Sequence, residues 1–423
     1  MKTNLTELVA LVDAYAAKQT LPTEQTTDCL RTLLSDALAK ATTAEADGTF
    51  FVKTGDIPAM WLRDATFQVL PYVKLITRIP ELEPFLVGVL RRELRYVQHD
   101  PYANAFNQTA SGAHWSEDDS DVAVSDLVWE RKFEIDSLCA PLFLALKLQE
   151  NTTHTDYLDD EFWQTLDVIV TVLETEQHHD QSPYYFKRVD CPANDTLTND
   201  GRGTPVGYTG MIWNGFRPSD NACEYGYHVP SNMFVVAVLE PLLPLIPAQF
   251  ASLKARIEQL ITAVKAGIET YAVVTLPGGK RGYAYEVDGL GHQKLMDDAN
   301  VPSLLSLPFI GYTNIDDELY QHTRAFILSA QNPYYYQGKV LVGIGSNHTP
   351  EDYVWPISLA MEGLTTTDQA VKVGQLEKIA TTDNGTGQCH ESVSVEDASQ
   401  YTRDWFSWAN MTYCELALGV IEA

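Results

Sequence analysis

Residues 56–76, DIPAMWLRDATFQVLPYVKLI, run from a polar, aromatic-rich loop straight into an almost wholly apolar helical stretch. The same transition returns in 132–149 (KFEIDSLCAPLFLALKLQ), 227–243 (YHVPSNMFVVAVLEPLL), 296–312 (MDDANVPSLLSLPFIGY), 351–364 (EDYVWPISLAMEGL) and 401–421 (YTRDWFSWANMTYCELALGVI), six instances in all. Between them lie more charged segments, such as 159–177 (DDEFWQTLDVIVTVLETEQ) and 247–273 (PAQFASLKARIEQLITAVKAGIETYAV). Their apolar residues recur three and four apart, as on a helix with one buried face. A helix that is apolar on several faces must touch neighbours on several sides. Six such helices alternating with amphipathic ones predict an inner and an outer ring, an all-α (α/α)6 barrel. An irregular helical solenoid also stacks helix pairs, but its repeats would be more regular in length than these.

Aromatic and β-branched residues cluster between turn residues in PYYFKRVDC (183–191) and GKRGYAYEVDG (279–289), so short β-hairpins on loops are expected there. No Pro/Ser-rich linker or low-complexity tract divides the chain, and a single catalytic domain over 1–423 is expected. With 423 residues, 45% of them hydrophobic, the chain can bury a large core. Its 57 acidic against 29 basic residues leave a formal charge of −28, which repels phosphate backbones and anionic lipid. Nucleic acid and membranes are therefore not expected as partners. The first helix-like stretch is interrupted by Glu7 and Asp13, and no apolar run approaches the roughly 20 residues of a membrane span. A soluble, cytoplasmic protein is the expectation. The six cysteines form no CxxC pair and several sit in apolar runs, so buried free thiols are expected. Zinc, haem and phosphate-loop signatures are missing from the sequence, so no cofactor is expected.

In a barrel of this kind the six loops converge on one end and line one pit. The substrate-binding side chains they are expected to bring there are Trp61, Arg63, Asp64, Asp136, Trp213, Arg217, Ser219, Asn232, Asp297, Asp298, Asn300, His348, His390, Arg403 and Trp405, with Asp56, Glu134, Asn347 and Trp355 near them. Carboxylates, arginines and tryptophans with almost no lysine suit a carbohydrate. Sugar hydroxyls pair with carboxylates and guanidinium forks, and sugar C–H faces stack on indole rings.

Such a pit can hydrolyse a glycosidic bond if two carboxyl groups flank it, one giving a proton to the leaving oxygen and one activating water. Asp220, in the irregular stretch GFRPSDNACEYGYHVPSN (215–232), is a candidate acid, because Tyr225 and Tyr227 would desolvate it and raise its pKa. The alternative is that it caps a turn, as Ser-Asp-Asn commonly does. Glu391 follows His390 just after a glycine-rich turn and suits a general base, or else a solvated loop carboxylate. Arg63 and Asp64 read equally as sugar ligands or as a helix-start cap with an ion pair. Asp297 and Asp298 read as a capping cluster or, less well, as Ca²⁺ ligands, since no EF-hand spacing accompanies them. His348 and His390 lack zinc-ligand spacing, so no metal is expected.

Six stretches, GDIPAMWLRDATFQVLPY (55–72), FEIDSL (133–138), IWNGFRPSDNACEYGYHVPSNMF (212–234), LMDDANVPSLLSLP (295–308), GIGSNHTP (343–350) and HESVSVEDASQYTRDWFSWAN (390–410), resemble glycoside hydrolase family 125, the inverting exo-α-1,6-mannosidases. The resemblance spans nearly the whole chain in the same order. It implies an (α/α)6 barrel, an α-mannoside oligosaccharide as substrate, Asp220 as general acid, Glu391 as general base and no metal in the chemistry. Two departures stand out: Asn221 where the family more usually has Asp, and Val393 where an aromatic residue often follows HES. Losing a carboxylate beside Asp220 lessens like-charge repulsion, which lowers its pKa and moves the expected optimum toward acid.

Overall fold

The computed structural model describes residues 4–422. The described residues form thirteen α-helices. In the first half these are α1 (Leu5–Ala16), α2 (Glu24–Leu33), α3 (Leu62–Leu75), α4 (Leu82–His99), α5 (Ile135–Asn151), α6 (Asp160–Glu176) and the single turn α7 (Thr198–Gly201). In the second they are α8 (Val229–Leu242), α9 (Ala251–Gly267), α10 (Glu318–Ile327), α11 (Pro356–Leu364), α12 (Gln369–Ala380) and α13 (Ser407–Ile421).

Five of the six recurring apolar segments become helices, α3, α5, α8, α11 and α13, and each is buried along most of its length. The charged segments between them bury one stripe only. In α9 that stripe is Leu253, Ile257, Leu260, Ile261 and Val264, the three-and-four spacing of a surface helix. Neighbour relations follow the same division. Helix α3 packs between α5 and α13, α5 also meets α8, and α13 also meets α11, while α4, α6, α9 and α12 cover them from outside.

The fourth recurring segment, 296–312, departs from the expected helix and folds as a chain of turns. Pro302 and Pro308 offer no backbone N–H. The Asp297 carboxylate takes two more donors, Leu304 N–H at 2.8 Å and Leu305 N–H at 2.9 Å, and most of the remaining backbone bonds close single turns, such as Ser306 N–H to the Ser303 carbonyl (3.2 Å). The segment nevertheless reaches the middle of the molecule. Phe309 lies 6.3 Å from Phe67 of α3 and 6.4 Å from Phe143 of α5, ring centre to ring centre. Phe143 in turn meets Phe234 of α8 at 5.4 Å, and Phe67 stacks on Trp408 of α13 at 5.8 Å. Apolar side chains from different apolar segments thus plug the space between them. Emptying one such position costs about 3–5 kcal/mol for Phe→Ala.

The strands are short and sit on the loops. Three three-stranded sheets, Met60–Trp61 with Ala105–Phe106 and Val128–Glu130, Tyr227–His228 with Glu286–Val287 and Gln293–Lys294, and Tyr353–Val354 with Ser392–Ser394 and Tyr401–Thr402, brace the entries to α3, α5, α8, α11 and α13. One expected hairpin forms, Val273–Thr275 with Arg281–Tyr283. The other does not: Phe186–Arg188 pairs with the distant strand Asp118–Ser120, because the chain after Arg188 turns away at Asp190 (φ 56°). All six cysteines are free thiols, four of them buried. Among the described residues no helix is long and apolar enough to cross a membrane.

Candidate active site

Where the apolar helices begin, a cavity of about 480 Å³ opens. Each side of it is built by a loop that ends in one of those helices. The strand Met60–Trp61 delivers Trp61, Arg63 and Asp64; Val128–Glu130 delivers Glu130 and Lys132; and the strand pair Ser392–Ser394/Tyr401–Thr402 is flanked by Glu391 and Arg403. Ser219, Asp220 and Asn221 enter from the loop ahead of α8, and Asn300, Asn347 and His348 complete the lining.

Asp220 stands at the tip of a tight turn. Its N–H donates to the Arg217 carbonyl at 2.9 Å, and Arg217 N–H donates to the Asn221 carbonyl at 2.7 Å. Its φ of +66° is a left-handed conformation that costs little for Asp and is uncommon otherwise. The turn is anchored by Arg217, whose Nε donates to Glu286 Oε1 at 2.5 Å beneath the loop. Lys132 Nζ holds the same turn from the cavity side, donating to the Asp220 carbonyl at 2.9 Å and to Asp195 Oδ1 at 2.5 Å. Behind the Asp220 carboxyl lies Arg63, with Nη2 3.9 Å from Asp220 Oδ1. The Nη1 of Arg63 donates to Glu134 Oε2 at 2.8 Å and Asp136 Oδ2 at 3.0 Å.

Glu391 is buried in the wall beside the strand pair Ser392–Ser394/Tyr401–Thr402, with Arg403 Nη1 3.5 Å from its Oε1. Arg403 also donates from Nε to Asp56 Oδ1 at 3.0 Å, and it too has a positive φ, +51°. Both candidate carboxyls thus depend on a residue in the left-handed region, a state that costs little at Asp220 itself and of order 1–3 kcal/mol at Arg403.

The electrostatics overturn one expectation. Burial does push the Asp220 carboxyl up, but Lys132, Arg63 and His348 outweigh it and hold the group below the usual carboxylate range. Tyr225 and Tyr227, expected to desolvate it, do not line the cavity. Nor does Asn221 act as a missing charge only: its Nδ2 donates to Asn347 Oδ1 at 2.6 Å and its Oδ1 accepts from Asn194 Nδ2 at 3.0 Å, tying two loops together. Burial pushes Glu134 well above the ordinary range and Asp64 upward. Arg63 stays charged against its burial because Glu134, Asp64, Asp136 and Asp220 surround it.

Nine expected site residues line the cavity: Trp61, Arg63, Asp64, Ser219, Asp220, Asn300, His348, Glu391 and Arg403. Eight stand behind it as supports. Asp136 pairs with Arg63, and Trp213 stacks on the His179 ring at 3.4 Å. Arg217 pairs with Glu286, and Asn232 bonds the Ile212 backbone in both directions. Asp297 caps the turn at Leu304–Leu305, and Asp298 accepts from Asn300 Nδ2 and Ser346 Oγ. His390 stacks on Tyr401, and Trp405 Nε1 donates to Asp36 at 2.7 Å. Apart from Trp213, which acts through its ring, each spends its polar group on holding a loop, which residue type alone does not reveal. The sequence reading missed a whole wall made of Glu130, Lys132, Arg188 and Asp195, joined by Arg188–Glu130 (2.9 Å) and Arg188–Asp195 (3.0 Å) bridges, and it missed Trp115 at the rim. Lys132 opens the quoted segment KFEID, so its place ahead of α5 was the available signal.

A cavity lined by carboxyl groups, indoles and hydrogen-bonding side chains suits a carbohydrate, as in glycoside hydrolases. Residues 23–418 match the family described as metal-independent alpha-mannosidase, glycoside hydrolase family 125, and the chain belongs to that family. A solved structure of a metal-independent alpha-mannosidase from Streptococcus pneumoniae, in a non-productive complex with alpha-1,6-mannobiose, is 42% identical and superposes with a TM-score of 0.93 over 99% of this chain and 98% of that one. The Meiotically up-regulated gene 157 protein of Schizosaccharomyces pombe is 36% identical over 390 residues, 88% of this chain and 76% of its own. A solved glycosidase only 13% identical, at a TM-score of 0.54 over 98% and 99% of the two chains, shares the fold.

Proposed function

We propose that this α-mannosidase is an inverting exo-enzyme that removes non-reducing terminal α-1,6-linked mannose, with Asp220 as general acid and Glu391 as general base. The observation that carries the reading is the sharing of one cavity by Asp220 and Glu391 from two different loops, in a chain so similar to a mannosidase crystallised with alpha-1,6-mannobiose. In the reaction the Asp220 carboxyl gives its proton to the glycosidic oxygen, which leaves with the electrons of its bond to C1. Glu391 takes a proton from a water that attacks C1 from the other face, so the sugar leaves as β-mannose. Arg403 aims Glu391, and Arg63 with Lys132 fixes the Asp220 turn.

The convergence of Phe67, Phe143, Phe234, Phe309 and Trp408 on one axis supports an (α/α)6 barrel, in which the turn segment 296–312 takes the place of one inner helix, and a single domain over 1–423. A cytoplasmic enzyme of this kind would act on imported manno-oligosaccharides or N-glycan fragments. A sugar epimerase on a similar barrel would need two histidines as acid and base. His390 lies outside the cavity lining, which disfavours that reading. Proton NMR of α-1,6-mannobiose hydrolysis decides the stereochemistry: β-mannose is expected before mutarotation. If α-mannose came first, or a mannosyl-enzyme could be trapped, Glu391 would not be activating water. Parallel α-1,2 and α-1,3 mannobiose assays test the linkage, and equal rates on all three would remove the α-1,6 assignment.

A further inference from the structure

Glu134 is a carboxyl group with no exposed surface on its side chain, directly behind the Asp220 carboxyl. Its Oε2 is occupied, accepting from Arg63 Nη1 at 2.8 Å and from Ser137 Oγ at 2.9 Å. Its Oε1 is buried and receives no donor, and Asp220 Oδ1 is buried in the same condition. The two side chains nevertheless face the same guanidinium, Glu134 Oε2 at 2.8 Å from Arg63 Nη1 and Asp220 Oδ1 at 3.9 Å from Arg63 Nη2, and each acts on the other's titration as a hydrogen-bonding neighbour. Two carboxylates cannot be such neighbours without a hydrogen between them, and two buried acceptors left empty would each cost a full desolvation penalty. A single proton removes both deficits.

The surrounding charges also require one. From α3 come Arg63 and Asp64, from the start of α5 Glu134 and Asp136, from the link between strand Val128–Glu130 and α5 Lys132, and from the loop beyond Asn347 comes His348. Asp195 neutralises much of Lys132, and Arg403 faces Asp64 from the Glu391 wall. Four carboxyls therefore share one fully buried guanidinium, and the nearest lysine is already paired.

We propose that Glu134 is the proton-holding partner of the acid, sharing one hydrogen with Asp220, so that the pair rather than Asp220 alone keeps a proton available to the leaving oxygen. The inference rests on Asp220 being the general acid. It also accounts for how that acid works among cations that by themselves keep it ionised. In the free enzyme the hydrogen resides on Glu134 and is donated to Asp220. When the glycosidic oxygen arrives, the Glu134 O–H bond breaks as an O–H bond forms on Asp220. Rotation about the Asp220 Cβ–Cγ bond turns the protonated oxygen to the sugar. That O–H bond then breaks as the leaving oxygen takes the proton together with the electron pair of its bond to C1. Glu134 is left as a carboxylate against Arg63 and Ser137, and the proton released by water lies on Glu391. Glu391 returns its proton to solvent, and the Glu134–Asp220 pair takes one back.

The test is the pH profile of kcat/KM for Glu134→Gln, measured on α-1,6-mannobiose and on an aryl α-mannoside with a good leaving group. The amide can still donate to Asp220 but has no proton to give up. The alkaline limb should move toward acid by about one pH unit or more, with at least about a tenfold loss on the disaccharide at neutral pH and little loss on the aryl glycoside. A role in packing alone would lower both substrates equally and leave the limb in place, which overturns the proposal. A second arm does not depend on that variant folding. In protein labelled with ¹³C at glutamate carboxyls, one buried glutamate should titrate at lower pH in Asp220→Asn than in the unaltered protein. Identical glutamate titrations in the two proteins overturn the proposal as well. Failure of the underlying reading looks different: Asp220→Asn would then keep its turnover, or lose it evenly across leaving groups.

Discussion

The two walls that carry Asp220 and Glu391, the proposed acid and base, are built in opposite ways. Asp220 stands among buried ions: Arg63, Glu134 and Asp136 are almost without solvent contact, and Lys132 and Arg188 lock the neighbouring wall through Glu130 and Asp195. Glu391 has one cationic neighbour, Arg403, which is itself tethered to the more exposed Asp56 at the rim. The acid side is thus a dense network in which protons and charges are shared, whereas the base side is a single carboxylate steered by a single guanidinium. An acid must gain a proton in surroundings that resist it, and that takes several groups. A base needs chiefly to be aimed.

The largest expected effect separates the walls directly. Asp220→Asn and Glu391→Gln should each lower hydrolysis of α-1,6-mannobiose by about 10²–10⁴-fold, since each removes one proton transfer and keeps shape. Only the Asp220 variant should recover on aryl mannosides with good leaving groups, which need little protonation. Equal recovery of both would erase the contrast between the walls.

Next comes stability. Arg63→Met leaves Glu134 and Asp136 buried without their cation and should cost about 3–5 kcal/mol, read as a lowered midpoint in urea unfolding. The same experiment on Arg403→Met should cost far less, because its partners Asp56 and Glu391 reach solvent or the cavity. Matching losses would mean that the base wall is as tightly built as the acid wall.

A smaller effect is expected of Arg403→Lys. The ammonium keeps the charge but cannot reach Asp56 and Glu391 at once as the planar fork does, so kcat/KM should fall about tenfold with the fold intact. An unchanged rate would show that charge alone steers Glu391. The smallest expected effect is none: chelation with EDTA should leave the rate unaltered. The Asp297 oxygens are occupied by backbone N–H groups and those of Asp298 by Asn300 and Ser346, and the family is described as metal-independent. Lost activity restored by Ca²⁺ would return these two aspartates to metal binding.

What the sequence by itself determined was the alternation of apolar and amphipathic segments, the loops ahead of the apolar ones, and the side chains able to handle a sugar. Hydrophobic periodicity reports which faces must be buried whatever the partner, so α3, α5, α8, α11 and α13 were legible from pattern alone. The segment 296–312 was not, because the pattern counts apolar residues while Pro302, Pro308 and the Asp297 carboxylate consume the donors a helix needs. Only the tertiary structure decided which polar residues face the cavity and which hold a loop from behind, as Arg217 does through Glu286 and Trp405 through Asp36. It decided protonation too. Whether Asp220 keeps a proton depends on Arg63, Glu134, Lys132 and His348, which lie between 86 and 157 residues away along the chain and become neighbours only after folding. Charge interactions fall with distance in space, and a sequence records distance only along the chain.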